Sequence, residues 1–206
     1  MPKIISEHER ELTKNALVEQ TKKLIRMKGG IKGITVDDIA RAVGLGKGSF
    51  YSYFKSKEEC IYEVIHKAWM NRICQAKMIA QENLSSKEFA TRFVHDVLLV
   101  DDVGEFISPT DVDMLLRKLP SENLEKAHQV LRNADEELMG FLNLDKVQAE
   151  AVHLLIACVE FVAIHDSTSD QAKEEVVNVL IETTAEYVDR NKKINQNKSI
   201  WGEKDG

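Results

Sequence analysis

The chain has 206 residues, 43% of them hydrophobic and 30% charged, with a net charge of −6. That balance is the one of a globular chain with a sizeable core, and it excludes a fibrous or intrinsically disordered polypeptide. No apolar run reaches the 18 residues of a membrane span, and the opening MPKIISEHERELTKNAL lacks the apolar core and small-residue cleavage site of a signal peptide, so a cytoplasmic protein is expected.

Three prolines and ten glycines punctuate long stretches of helical period, and an all-α fold of about nine helices follows. A first helix is predicted over Glu7–Lys28 and stops at Gly29 and Gly30. Thr35 caps a short second helix, with Asp38 three residues on as a near-equivalent of a capping box. Gly44 breaks that helix, and a third is predicted from Lys47 to about Phe54. Ser56 caps a fourth that runs to about Gln81. A fifth is predicted over about 87–99, a short sixth after Thr110, and a seventh from Pro120 to near Leu142. The last two, at about 144–167 and 170–190, are apolar around more of their circumference than one core face requires, which points to burial both by the chain and by a partner. A polar tail is expected from 193 to 206. The expected domains are residues 1–57, 58–192 and the tail 193–206.

Charge is unevenly placed. Residues 1–57 hold 12 Lys and Arg against 6 Asp and Glu, and residues 58–206 hold 16 against 28. The small N-terminal head can meet phosphates, and the acidic body is ill suited to do so. Two short helices joined by a glycine-containing turn have helix-turn-helix geometry. Ile39, Ala40 and Val43 can pack against Leu45, Phe50 and Phe54, which leaves Lys47, Gly48, Ser49, Tyr51, Ser52 and Tyr53 on a free face without a single acidic residue. Such a face can enter a major groove. Lys47 can reach a base edge or a phosphate, Gly48 allows close approach, and Tyr51 can touch a thymine methyl. Thr35 and Lys57 are candidate phosphate contacts.

The segment GITVDDIARAVGLGKGSFYSYFKSKEECIYEVI resembles the DNA-binding signature of the tetracycline-repressor (TetR/AcrR) regulators. It carries a Thr that opens the second helix, a DIA core, the G-x-x-K-G-[ST] turn, the Y-x-Y-F run and K-x-K-E-E before a long helix. The likeness covers about residues 10–65, with Gly46 and Ser52 as departures from the family's usual polar or His/Asn residues. It implies a homodimer joined through a four-helix bundle of the last two helices of each chain, acting on a palindromic operator. It also implies a repressor whose body binds a small molecule that shifts the fourth helix.

Trp69, Phe89, Phe93, Phe106, Met114, Met139, Phe141, Phe161 and His165 are candidates for an apolar effector pocket. His153 and Glu160 lie seven residues apart on one helical face, yet no third ligand is in view, and neither a metal nor a cofactor is expected. Cys60, Cys74 and Cys158 form no close pair and read as buried reduced thiols. No nucleophile elbow, phosphate-binding glycine loop or HExxH pair supports catalysis, so an enzyme is not expected. The alternatives are a DNA-binding protein that needs no ligand and an all-helical enzyme acting on a hydrophobic substrate.

Overall fold

The computed structural model describes residues 6–100, 106–165 and 168–202, without the side chains of residues 109, 127, 130, 131, 134, 135, 138, 139, 141 and 196–202. Every regular element among the described residues is helical: α1 (Glu7–Lys28), α2 (Val36–Ala42), α3 (Lys47–Phe50), α4 (Lys57–Ala80), α5 (Ser86–Arg92), a π-helical turn (Phe93–Leu98), α6 (Pro109–Leu116), α7 (Ser121–Leu142), α8 (Lys146–Ala163) and α9 (Asp170–Gly202). The all-α fold with its N-terminal helix-turn-helix follows the sequence reading.

Local chemistry sets most boundaries. Full capping boxes open α1 (Ser6 with Glu9), α2 (Thr35 with Asp38), α5 (Ser85 with Glu88) and α8 (Asp145 with Gln148). Ser56 caps α4 by accepting from the Glu59 amide at 3.1 Å. At the end of α1, Gly29 takes φ +64°, and the Gly30 amide donates back to the Ile25 carbonyl at 2.9 Å. Gly44, at φ +73°, turns the chain between α2 and α3.

Four boundaries depart from the sequence reading, among them the end of the eighth helix, which stops at Ala163 rather than running to about 167. The third helix ends at Phe50, four residues early, because the Ser52 and Tyr53 amides bond three residues back, to Ser49 and Phe50, and tighten the chain into a turn. The fifth helix passes into the π-helical turn at Phe93. The last helix continues to Gly202, because neither Gly nor Pro interrupts the run after Arg190.

The chain forms two compact units, Met1–Met70 with Asp102–Ala127, and Asn71–Asp101 with His128–Gly206. In the first, α1 packs on α2 and α2 on α3 around Leu17, Ile25, Ile34, Ile39, Phe50 and Ile61, all essentially without solvent exposure. Burying a side chain of this size contributes about 1.5–3 kcal/mol. Cys60 sits in this core, 3.3 Å from the Thr21 hydroxyl, which itself donates to the Leu17 carbonyl at 2.8 Å. Burial pushes the Cys60 thiol up to about 11. Cys74 and Cys158 are exposed, so only one of the three thiols has the expected burial. Both lie on helix faces turned away from the cores, a placement that the apolar character of cysteine does not reveal.

In the second unit α9 packs against α5 and α8. Val159, Val177 and Ile181 are central to one core cluster, and Val152 and Val188 to another.

Candidate nucleic-acid interface

The helix-turn-helix is built on Phe50 and Phe54, whose rings lie 5.7 Å apart and are buried against Ile39 and Ala40. With these two rings inward, the intervening side chains turn outward. Lys47, Gly48, Ser49, Tyr51 and Ser52 are exposed, and Tyr53 is half-buried. The Tyr51 ring meets Phe50 edge-on at 5.6 Å yet keeps 51% of its surface in solvent, so it is anchored at its base and free at its tip.

The glycines separate packing needs from functional ones. A Cβ at Gly48 would meet no atom within 4 Å, and the backbone there is ordinary helix. Glycine inside a helix costs roughly 1 kcal/mol relative to alanine. Nothing inside the protein offsets that cost at position 48.

Four contacts that the sequence reading missed hold this face in place. Arg10 of α1 donates to the Ser52 carbonyl at 2.5 Å and lies over the Tyr53 ring at 5.5 Å. Lys14 lies over the Phe54 ring at 5.7 Å. Lys47 pairs with Asp37 of α2 at 3.2 Å. The basic residues of α1 were legible in the sequence as charge, but their partners lie about 40 residues away and no local pattern marks them.

Thr35 and Lys57 are placed differently from the free groups of the face. The Thr35 hydroxyl donates to Asp38 at 2.8 Å and accepts from the Asp38 amide at 3.1 Å. Asp38 also takes the Lys28 ammonium at 2.7 Å. That ammonium, with the Thr35 hydroxyl and amide, holds the Asp38 carboxyl well below the usual carboxylate range. Lys57 donates to the Ile34 carbonyl at 2.9 Å, which ties the first turn of α4 to the loop before α2.

The second unit holds a cavity of about 490 Å³. Ile73, Ala76 and Ala80 of α4, Phe89 and Phe93 of the α5 region, and Ile156 and Val159 of α8 supply apolar wall, and α9 adds Ile181, Ala185 and Val188. Of the nine residues expected to line a pocket, Phe89 and Phe93 do so, as parallel rings 6.2 Å apart. Trp69 and Phe106 instead pack on the core of the first unit. Met114, Phe161 and His165 are exposed. Met139 and Phe141 have side chains outside the described residues. The physical reason for the difference is that small residues on α4 and α9 open the space, whereas an aromatic count favours bulk wherever it lies. Glu160, considered above as a metal ligand, is engaged by Arg72 at 2.6 Å.

Residues 17–64 match the family model of the bacterial regulatory proteins of the tetR family. The solved structure of the fatty acid degradation regulator FadR from Bacillus halodurans is similar over 85% of this chain and 93% of its own, at 14% identity and a TM-score of 0.49. No curated protein matches the chain. The matched segment spans the buried helix-turn-helix core and the exposed face from Lys47 to Tyr53, so this N-terminal part of the chain is similar to the bacterial regulatory proteins of the tetR family.

Proposed function

We propose that this protein is a ligand-responsive repressor that acts in the cytoplasm as a homodimer on a palindromic operator. The observation that carries the DNA-reading part is the acid-free, outward face from Lys47 to Tyr53, with a glycine at 48 that no internal contact demands. A side chain there would stand between helix and base edges, so its absence suits close approach to a groove. Lys47 meets a phosphate or a guanine edge, Ser49 and Ser52 offer short hydrogen-bonding groups, and Tyr51 brings an apolar ring edge. Tyr53 and Lys57 stand at the border of this surface. Thr35, with its hydroxyl spent in the capping box, serves by fixing the start of α2.

A homodimer is supported by the outer face of α8. Val147, Leu154, Cys158 and Phe161 recur at intervals of seven, four and three residues, and all are exposed. On α9, Val176 and Val179 are exposed as well. Leu154 and Phe161 leave 69% and 61% of their surface in water, a pattern that a second copy of the same face would cover. The apolar cavity of the second unit is the proposed effector site, and α4 supplies one of its walls.

Selection of bound sequences from a random duplex library, with the full-length protein, tests the reading. Enrichment of a palindrome with two half-sites is the expected result. Retention of DNA without sequence enrichment at physiological salt would overturn it.

A further inference from the structure

The charges around the cavity say which ligands it admits. Among the described residues Arg72, Lys77 and His153 line it, and the two side chains of permanent positive charge, Arg72 and Lys77, are each closed by a carboxylate of the protein itself. Arg72, only 16% exposed, meets Glu160 at 2.6 Å, and Lys77 meets Glu137 at 2.8 Å. The walls between these pairs are mostly apolar, with His153 as the remaining ionisable side chain. The Thr184 hydroxyl donates to its own helix at the Leu180 carbonyl at 2.7 Å, which leaves its oxygen as an acceptor.

We propose that the effector is an uncharged, mostly apolar molecule. This inference rests on the reading of the cavity as the effector site. An anionic ligand reaches Arg72 only by expelling Glu160, which sits on the same folded scaffold and competes at a high effective concentration. The exchange replaces one carboxylate with another, so little electrostatic energy is gained, and it leaves Glu160, two-thirds buried, without its cation. A cationic ligand faces the same obstacle at Glu137, which Lys77 already holds. An uncharged ligand disturbs neither pair and gains the full burial of its apolar surface. A single hydroxyl on such a ligand has an acceptor in Thr184. The net −12 of residues 58–206 therefore does not select the effector's charge, because the cavity's own charges are internally balanced.

The test compares 1-decanol with decanoate at pH 8, where the acid is fully ionised. Each competes against the uncharged dye N-phenyl-1-naphthylamine on the full-length protein. Decanol is expected to displace the dye at least about tenfold more effectively than decanoate, roughly the cost of breaking one ion pair. In Glu160→Gln, decanoate is expected to gain about tenfold, because Arg72 is released. Decanoate equal to or better than decanol on the unaltered protein would overturn the charge inference and leave the cavity as the effector site. Dye binding that survives Ala76→Trp, a substitution that fills the cavity, would instead overturn the cavity reading itself. So would a protein that binds neither dye nor decanol. The alcohol-to-acid comparison needs no variant, so it stands even if Glu160→Gln fails to fold.

Discussion

The Lys47 ammonium lies 3.2 Å from the Asp37 carboxylate, so the first residue of the reading helix is tied to the first turn of the helix before it. Both partners are about half exposed, and an exposed pair of this kind contributes little to stability. In the proposed binding mode its effect falls on DNA binding, because a phosphate would have to win Lys47 from Asp37. Asp37→Asn is expected to tighten binding to operator and non-operator duplexes alike, by a few-fold at low salt. Lys47→Ala is expected to weaken both and to lower the salt slope of log K by about 1. Fluorescence anisotropy across a salt series checks both outcomes.

Gly48→Ala separates folding from reading. The added methyl meets open space, and alanine favours the helix, so thermal stability is expected to rise by about 0.5–1 kcal/mol. Operator affinity is expected to fall at least about tenfold, because the methyl occupies the approach to the base edges. Calorimetry and a binding titration on one preparation read the two opposite signs. Loss of stability, or unchanged affinity, would count against the assigned face.

Tyr51→Ala removes a ring that is half in solvent. The melting temperature is expected to move by no more than about 2–4 °C, while specific affinity falls by roughly 1–3 kcal/mol and the preference at one operator position relaxes. Non-specific binding is expected to stay within a few-fold. Titration against operator variants checks which position loses its preference.

Asp38 gives the head an acid-sensitive clasp. Its carboxyl lies below its ordinary value in the folded protein, first through Lys28 and then through Thr35. The unfolded chain therefore binds the proton more readily. The stabilisation is complete above about pH 4, the unfolded value, and is lost as pH falls from there towards the depressed folded value. Asp38→Asn is expected to lower the melting temperature at pH 7, and the gap to the parent protein is expected to narrow progressively as pH falls below about 4. Thr35→Ala, which removes the other half of the box, is expected to cost about 1 kcal/mol. Thermal melts at several pH values measure both effects.

The outer face of α8 is tested by Leu154→Glu combined with Phe161→Glu. Neither residue supports the core, so helical circular dichroism is expected to stay intact. Sedimentation is expected to shift from dimer to monomer, and operator affinity to collapse with it. In the parent protein the melting temperature is expected to rise with concentration, as mass action requires of a folded dimer. A parent protein that sediments as a monomer would remove the dimer from the reading.

What could be read in the sequence divides along a physical line. The span Glu7–Lys28 was legible to the residue because Gly29 and Gly30 stop the helix by backbone geometry alone. The inward set of the helix-turn-helix was legible because Ile39, Ala40, Phe50 and Phe54 lie close together in the chain. The early end of α3 at Phe50 was not, because a shift to bonds three residues back leaves no compositional mark. Nor was the π-helical turn after Arg92. The cavity was the hardest feature. Trp69 and Ile73 sit one turn apart on α4, yet the first joins the core of one unit and the second lines a cavity in the other. Helical period identifies an apolar stripe but does not say which core each part of it enters. The pairs Arg72–Glu160 and Lys77–Glu137 join residues 60 or more positions apart and lay outside any local pattern.

The burial of Cys60 makes the head report on its own opening. The thiol is fully enclosed, and its raised pKa keeps it protonated, so an alkylating reagent reaches it only in molecules whose head has come apart. With Cys74 and Cys158 replaced by serine, the labelling rate at Cys60 becomes a clock for that excursion, much as amide exchange is for a backbone. Operator DNA, by binding only the closed head, slows the clock in proportion to its occupancy. A single native atom thus measures how often the reading surface ceases to exist.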